Sequence, residues 1–172
     1  MHTLRLLALT PITVLCLGLI LGGNDALAQQ KSLREQLVGT WMLVSNDNIA
    51  PDGTRRQLFS PSPKGILILE ANGRYAQIQV NPNRPKFKAS NRLEGTPEEN
   101  AAVVRATSGS FGAWSVNEVD KTMVLHSDFS IFPNFDGTDS KRAITLTGDQ
   151  LKYINPAASG GGTAEAIYER AK

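Results

Sequence analysis

Cysteine is nearly absent: the 172 residues hold one, Cys16, inside an apolar run near the N-terminus. Everything after it lacks a thiol, which excludes a disulfide framework, a thiolate metal site and a cysteine nucleophile. Histidine is almost as scarce, with only His2 and His126. A single imidazole beyond the N-terminal run makes neither a histidine metal site nor a relay. Asp128, Asp136 and Asp139 do not follow the spaced calcium-loop pattern, so no metal or other cofactor is expected. An excess of one charge is also missing, since 18 Lys and Arg face 16 Asp and Glu for a net +2. The densest basic group, Arg84, Lys86, Lys88 and Arg92, is spread along a Pro- and Asn-containing stretch with Phe87 as its sole aromatic. That pattern reads as a solvated loop, and no nucleic-acid partner is expected.

One long apolar run is present, Leu6 to Leu21, broken by Thr10, Pro11 and Thr13. His2 and Arg5 precede it, and Ala26-Leu27-Ala28 follows as a small-x-small cleavage site. These features read as a secretory signal over residues 1–28, leaving a mature domain over 29–172 that is exported to a periplasm or outside the cell. The interrupted run is shorter than the roughly 20 apolar residues of a spanning helix, so no stable membrane span is expected after cleavage. Leu15 stands before Cys16 where a lipid-anchored signal needs a small residue.

The mature part has the rhythm of hairpins. Ser32 with Glu35 three residues on is a helix start, and Gly39 stops that helix. Strands are expected at Trp41 to Ser45, Thr54 to Phe59, Gly65 to Leu69 and Tyr75 to Val80, with turns at Pro51-Asp52-Gly53 and Asn72-Gly73. Ser60-Pro61-Ser62-Pro63 cannot donate fully to a ladder and is a connection. Thr96-Pro97-Glu98-Glu99 carries an N-cap, a first-position Pro and a capping box, so a helix follows to Thr107. It is either a lid or a cover on the outer wall. Further strands are expected at Ser110 to Val119, Thr122 to Phe132, Lys141 to Thr147, Gln150 to Asn155 and Ala164 to Arg170. Eight or nine strands at hairpin spacing predict an all-β domain, a closed antiparallel up-and-down barrel of about eight strands with a short N-terminal helix and one inserted helix.

Closure has its own pair. If the first and last strands lie side by side, the Arg170 guanidinium can stack on the buried Trp41 ring. A closed barrel of about eight strands has room for one small ligand. Between Tyr75 and Val80, Ala76, Ile78 and Val80 share one face, and Tyr75, Gln77 and Gln79 the other. Parity alone leaves open which face points inward, and hence whether the cavity is apolar or amphipathic.

The opening Gly39-Thr40-Trp41-Met42-Leu43-Val44-Ser45, with Arg170 in the place of a closing arginine, resembles the Gly-x-Trp first strand of the lipocalin-like domain family, a calycin-type barrel. His126-Ser127-Asp128-Phe129-Ser130-Ile131-Phe132-Pro133-Asn134-Phe135-Asp136-Gly137, continuing to Arg142, is similar to that family's His, Phe-Pro-Asn, Gly and Arg sequence. The resemblance implies a barrel with an apolar or amphipathic cavity more firmly than any activity.

The candidate ligand-binding residues are His126, Arg142, Tyr75, Phe111 and Tyr153, with no catalytic residue assigned. His126 could donate to a ligand or exchange a proton; the plainer alternative is a core histidine bonded to backbone or a carboxylate. Arg142 could clamp a ligand carboxylate, or be buried against Asp128 or Glu118. Ala76, Ala113, Ser115, Ser127, Ser130 and Ala143 are the small residues expected to leave internal space. Three functions fit: an exported carrier or sequestering protein for a small apolar or amphipathic molecule; an isomerase or cyclase moving a proton through His126, Tyr75 or Tyr153; and a filled-barrel interaction module.

Overall fold

A computed structural model describes residues 31–172 of the protein. The signal expected over 1–28, with Cys16, lies outside the described residues.

The chain opens with a short helix, α1 (Leu33–Leu37), whose start is the expected capping box: Ser32 Oγ accepts from the Glu35 N–H, and the Glu35 carboxylate accepts from the Ser32 N–H. Strands β1 (Gly39–Ile49), β2 (Arg55–Gln57), β3 (Lys64–Leu69) and β4 (Arg74–Val80) follow. After a long connection holding α2 (Pro97–Arg105) come β5 (Thr107–Asn117), β6 (Thr122–Ser130), β7 (Thr138–Thr147), β8 (Gln150–Asn155) and β9 (Thr163–Arg170). Every pairing is antiparallel between neighbours in the order β2-β1-β3-β4-β5-β6-β7-β8-β9, and β1 also pairs with β9. Eight strands therefore form a closed barrel, and β2 is an extra strip.

β1 does two jobs because it is 11 residues long rather than the expected five. Its first half pairs with β3 (Trp41↔Leu67) and its second with β2 (Asn48↔Arg56), while β9 runs along both. A register shift between Leu43 and Ser45 changes which residues face inward. Before it Trp41 and Leu43 are buried; after it Asn46 is. β6 stops at Ser130, two residues short of the expected end, because the Asp136 carboxylate takes the Ser130 N–H at 2.7 Å and the chain enters a 3-10 turn at Pro133–Phe135.

One end is plugged. Leu37, Trp41, Leu67, Leu69, Trp114, Met123, Leu125 and Leu151 form the apolar core beneath α1. Arg170 lies over the Trp41 ring with its guanidinium carbon 4.1 Å from the centroid, and donates to the carbonyls of Gln36 (2.6 Å) and Val38 (3.1 Å). It thus closes the cylinder and satisfies carbonyls at the end of α1. Gly39 has φ +135°, and a Cβ there would sit 2.9 Å from Arg170 Nη1, so both conformation and space call for glycine beside this pair. A second stack, unforeseen from sequence, puts Arg34 of α1 4.7 Å over Trp114, whose indole N–H donates to the Glu70 carbonyl.

Candidate functional site

The other half of the barrel is polar inside. On β4 the buried face carries Tyr75 and Gln79, with Gln77 between them, while Ala76 and Ile78 face solvent. The parity that sequence left open is thus resolved toward a polar wall. Gln79 is its hub: its side-chain oxygen accepts from Asn46 Nδ2, and its nitrogen donates to the hydroxyls of Tyr153 (3.1 Å) and Tyr168. The two phenol oxygens are 3.3 Å apart, and the rings lie tilted at 5.5 Å. Burial, and then the adjacent Tyr153, push the Tyr168 hydroxyl well above its ordinary value, so it stays protonated. Further along the same strand Tyr75 bridges Ser110 (3.0 Å) and Ser127 (2.9 Å) of the neighbouring β5 and β6, and Gln77 donates to Ser110.

Arg142 sits among these groups. It is only 6% exposed, and its guanidinium carbon lies 4.9 Å over the Tyr153 ring. Nε and Nη1 are buried without a hydrogen-bond partner, as are Asn46 Oδ1 and Gln77 Oε1. Among the described residues no carboxylate pairs with Arg142. Asp128 pairs with Arg74 at 2.6 Å, and Glu118 accepts from the Arg34 backbone N–H, so neither alternative partner considered from sequence is engaged. Glu165, the one buried acid among the described residues, is bound by Arg55 (2.9 Å) and Lys152 (2.8 Å). A buried cation stacked on a tyrosine keeps free donors and has no counter-charge among the described residues, chemistry that an anionic group can satisfy.

Of the residues singled out from sequence, Arg142, Tyr75 and Tyr153 are buried in this polar interior. His126 does not. Leu125 and Ser127 are buried on either side of it, so alternation turns His126 to the outer wall, where it is exposed and its Nδ1 lies 2.7 Å from Asp139 Oδ1. It is therefore on the surface and not in the core or on the inner wall, while the carboxylate partner expected in the plainer alternative is present as Asp139. Phe111 is also outside, against Phe129 with ring centroids 5.8 Å apart, because its neighbour Gly112 faces inward. A Cβ on Gly112 would lie 1.9 Å from the His126 carbonyl, a close approach set by the β5–β6 register shift between Phe111 and Gly112. Of the small strand residues counted on either parity, Ser127 is buried, whereas Ala76, Ser115 and Ala143 are exposed; the buried small residues include Gly112, Ala164 and Ala166. Sequence reasoning missed Asn46, Gln79 and Tyr168. The Gln77 and Gln79 alternation was visible, but the β1 register shift that turns Asn46 inward was not.

Fold and chamber together define an antiparallel calycin-type barrel with a plugged apolar end and a polar interior. A family model described as a lipocalin-like domain matches residues 38–171, and the chain belongs to that family. No curated protein matches it. Among solved structures, a mutant of the fluorescent protein UnaG is similar over 80% of this chain and 97% of that one, at 18% identity and a TM-score of 0.36, too distant a likeness to bear on ligand or mechanism.

Proposed function

We propose that the protein is an exported binding protein that holds one small amphipathic anion inside the barrel, with its acidic group on Arg142. The observation that supports this is the buried, unpaired guanidinium in a chamber without an acid. Leaving such a group unmet costs several kcal/mol, whereas a bound carboxylate turns it into a charge-assisted pair. Gln77 Oε1 and Asn46 Oδ1 ask in addition for a hydrogen-bond donor on the ligand. The isomerase or cyclase alternative loses its imidazole to the outer wall, and Tyr75 is held by two serines. Export rests on the composition of residues 1–28, and N-terminal sequencing of the exported protein should begin at Gln29.

The test is displacement of a fluorescent fatty acid by a carboxylate and by the matching alcohol, on wild type and Arg142→Met. Wild type should prefer the carboxylate by at least about tenfold, the worth of one charge-assisted bond. Equal affinity for acid and alcohol, or no loss in Arg142→Met, would remove the anchor.

A further inference from the structure

The outer wall carries a feature that internal binding does not use. Cross-strand registry aligns Thr40, Ile68, Ala76, Phe111 and Phe129 in one row over β1, β3, β4, β5 and β6. The next row away from the plugged end is Met42, Ile66, Ile78 and Gly109, and the Ile131 N–H bonds to the Gly109 carbonyl to extend it. No ionised residue interrupts either row. Met42, Ile78, Phe111, Phe129 and Ile131 are all exposed, Phe129 by 62%. Between β4 and β6 the two rows form a groove of about 400 Å³ whose apolar rim is Ala76, Ile78, Phe111, Phe129 and Ile131, with Gln77, Ser110 and Ser130 adding polar lining. A contiguous apolar strip of this kind marks an interaction surface.

The edges of the strip differ in charge. Toward the plugged end the next row is mixed, with Arg74, His126 and Asp139 in registry and Asp128 bound to Arg74. Toward the open end it is Lys64, Val80 and Thr107, and from the last two springs the 81–106 connection, closed at its base by the bond from the Asn81 N–H to the Ala106 carbonyl. That connection exposes Arg84, Lys86, Lys88, Arg92 and Arg105, and among the described residues none of them is in an ion pair. Its acids are Glu94, Glu98 and Glu99; Glu99 is engaged in capping α2, and Glu94 accepts from Asn91. Leu93 and Val104 add exposed apolar side chains to the same segment.

We propose that this face docks on an anionic lipid surface, the apolar strip entering the headgroup boundary and the 81–106 cations meeting lipid phosphates. Unpaired cations beside an uncharged apolar strip match such a surface in both respects, whereas a second copy of the chain would bring the same cations to the contact.

The test is co-sedimentation of the exported protein with phosphatidylcholine vesicles, with and without about a third phosphatidylglycerol. Wild type should bind the anionic vesicles, release from them as salt is raised, and leave the neutral ones free. Phe111→Ser with Phe129→Ser should weaken binding about tenfold while lowering Tm only by what an exposed cross-strand aromatic pair contributes, so the variant stays folded at the assay temperature. Lys86→Glu with Lys88→Glu should weaken it similarly and flatten the salt dependence. Wild type and variants carry the same N-terminus, so anything the residues before 31 contribute is common to them. Equal binding to neutral vesicles, or no loss in either variant, would overturn the proposal. A dimer that the Phe pair converts to monomer would overturn it too, and would make the strip a self-association face.

Discussion

The two halves of the barrel are built from the same strands and reward opposite experiments. In the plugged half, Leu37, Trp41, Leu67 and Leu151 are fully buried, and the polar atoms of Trp41, Trp114 and Arg170 are bonded to backbone. In the open half, Asn46, Gln77 and Arg142 retain buried atoms without partners. The first half carries stability and the second holds unmet polarity, the feature on which the proposed ligand site rests. The register shift after Leu43 is where β1 passes from one to the other.

Trp41→Ala should have the largest effect, a loss of about 3–5 kcal/mol read by denaturant unfolding, because it opens a cavity and leaves Arg170 without its ring. Gln79→Leu should cost less, about 1–3 kcal/mol, since it strands the hydroxyls of Tyr153 and Tyr168 in a chamber already incompletely satisfied. If the second loss equals the first, the division between halves does not hold.

Glu165 sharpens the comparison from outside the chamber. Its hydrogen bond to Arg55, and next that to Lys152, hold its carboxyl below its ordinary value of 4.5. The unfolded chain binds the proton first as pH falls through about 4.5, so the stability these bonds contribute is complete above that value and lost below it, as the folded group protonates. Glu165→Gln should melt below wild type near neutral pH, and the gap should close in acid. An unchanged gap would mean that the charge on Glu165 contributes nothing.

The smallest effect belongs to His126. Exposed and paired only with an exposed Asp139, it should change stability by no more than about 0.5 kcal/mol on substitution by Ala, and leave probe affinity unchanged. A larger change in affinity would return the imidazole to the site.

The fold was legible because its signals are local. Asn72-Gly73, Thr96-Pro97-Glu98-Glu99 and the Ser32 capping box each state an element within four residues, and successive hairpins leave few topologies besides a closed meander. Nearest-neighbour pairing also let Trp41 and Arg170 be read together across the length of the chain. The interior was less legible, for two reasons. Alternation within β4 specifies two faces without saying which is buried, and Tyr75, Gln77 and Gln79 were the less apolar set. Register shifts in β1 and between β5 and β6 reverse parity without a mark in the residue pattern, which hid the inward turn of Asn46. His126 drew notice through rarity, yet its buried neighbours Leu125 and Ser127 place it outside.

The division between halves meets at Arg142, so one thermal-shift experiment tests it most directly: melting of wild type and Arg142→Met, each with and without a saturating long-chain carboxylate. Removing a buried, unpaired guanidinium relieves an unmet charge, so the unliganded variant should melt no lower than wild type. Wild type should gain Tm with the carboxylate by linkage, and the variant should not. A variant that melts well below wild type yet gains the same shift would contradict the account, because Arg142 would then be holding the fold and not the ligand.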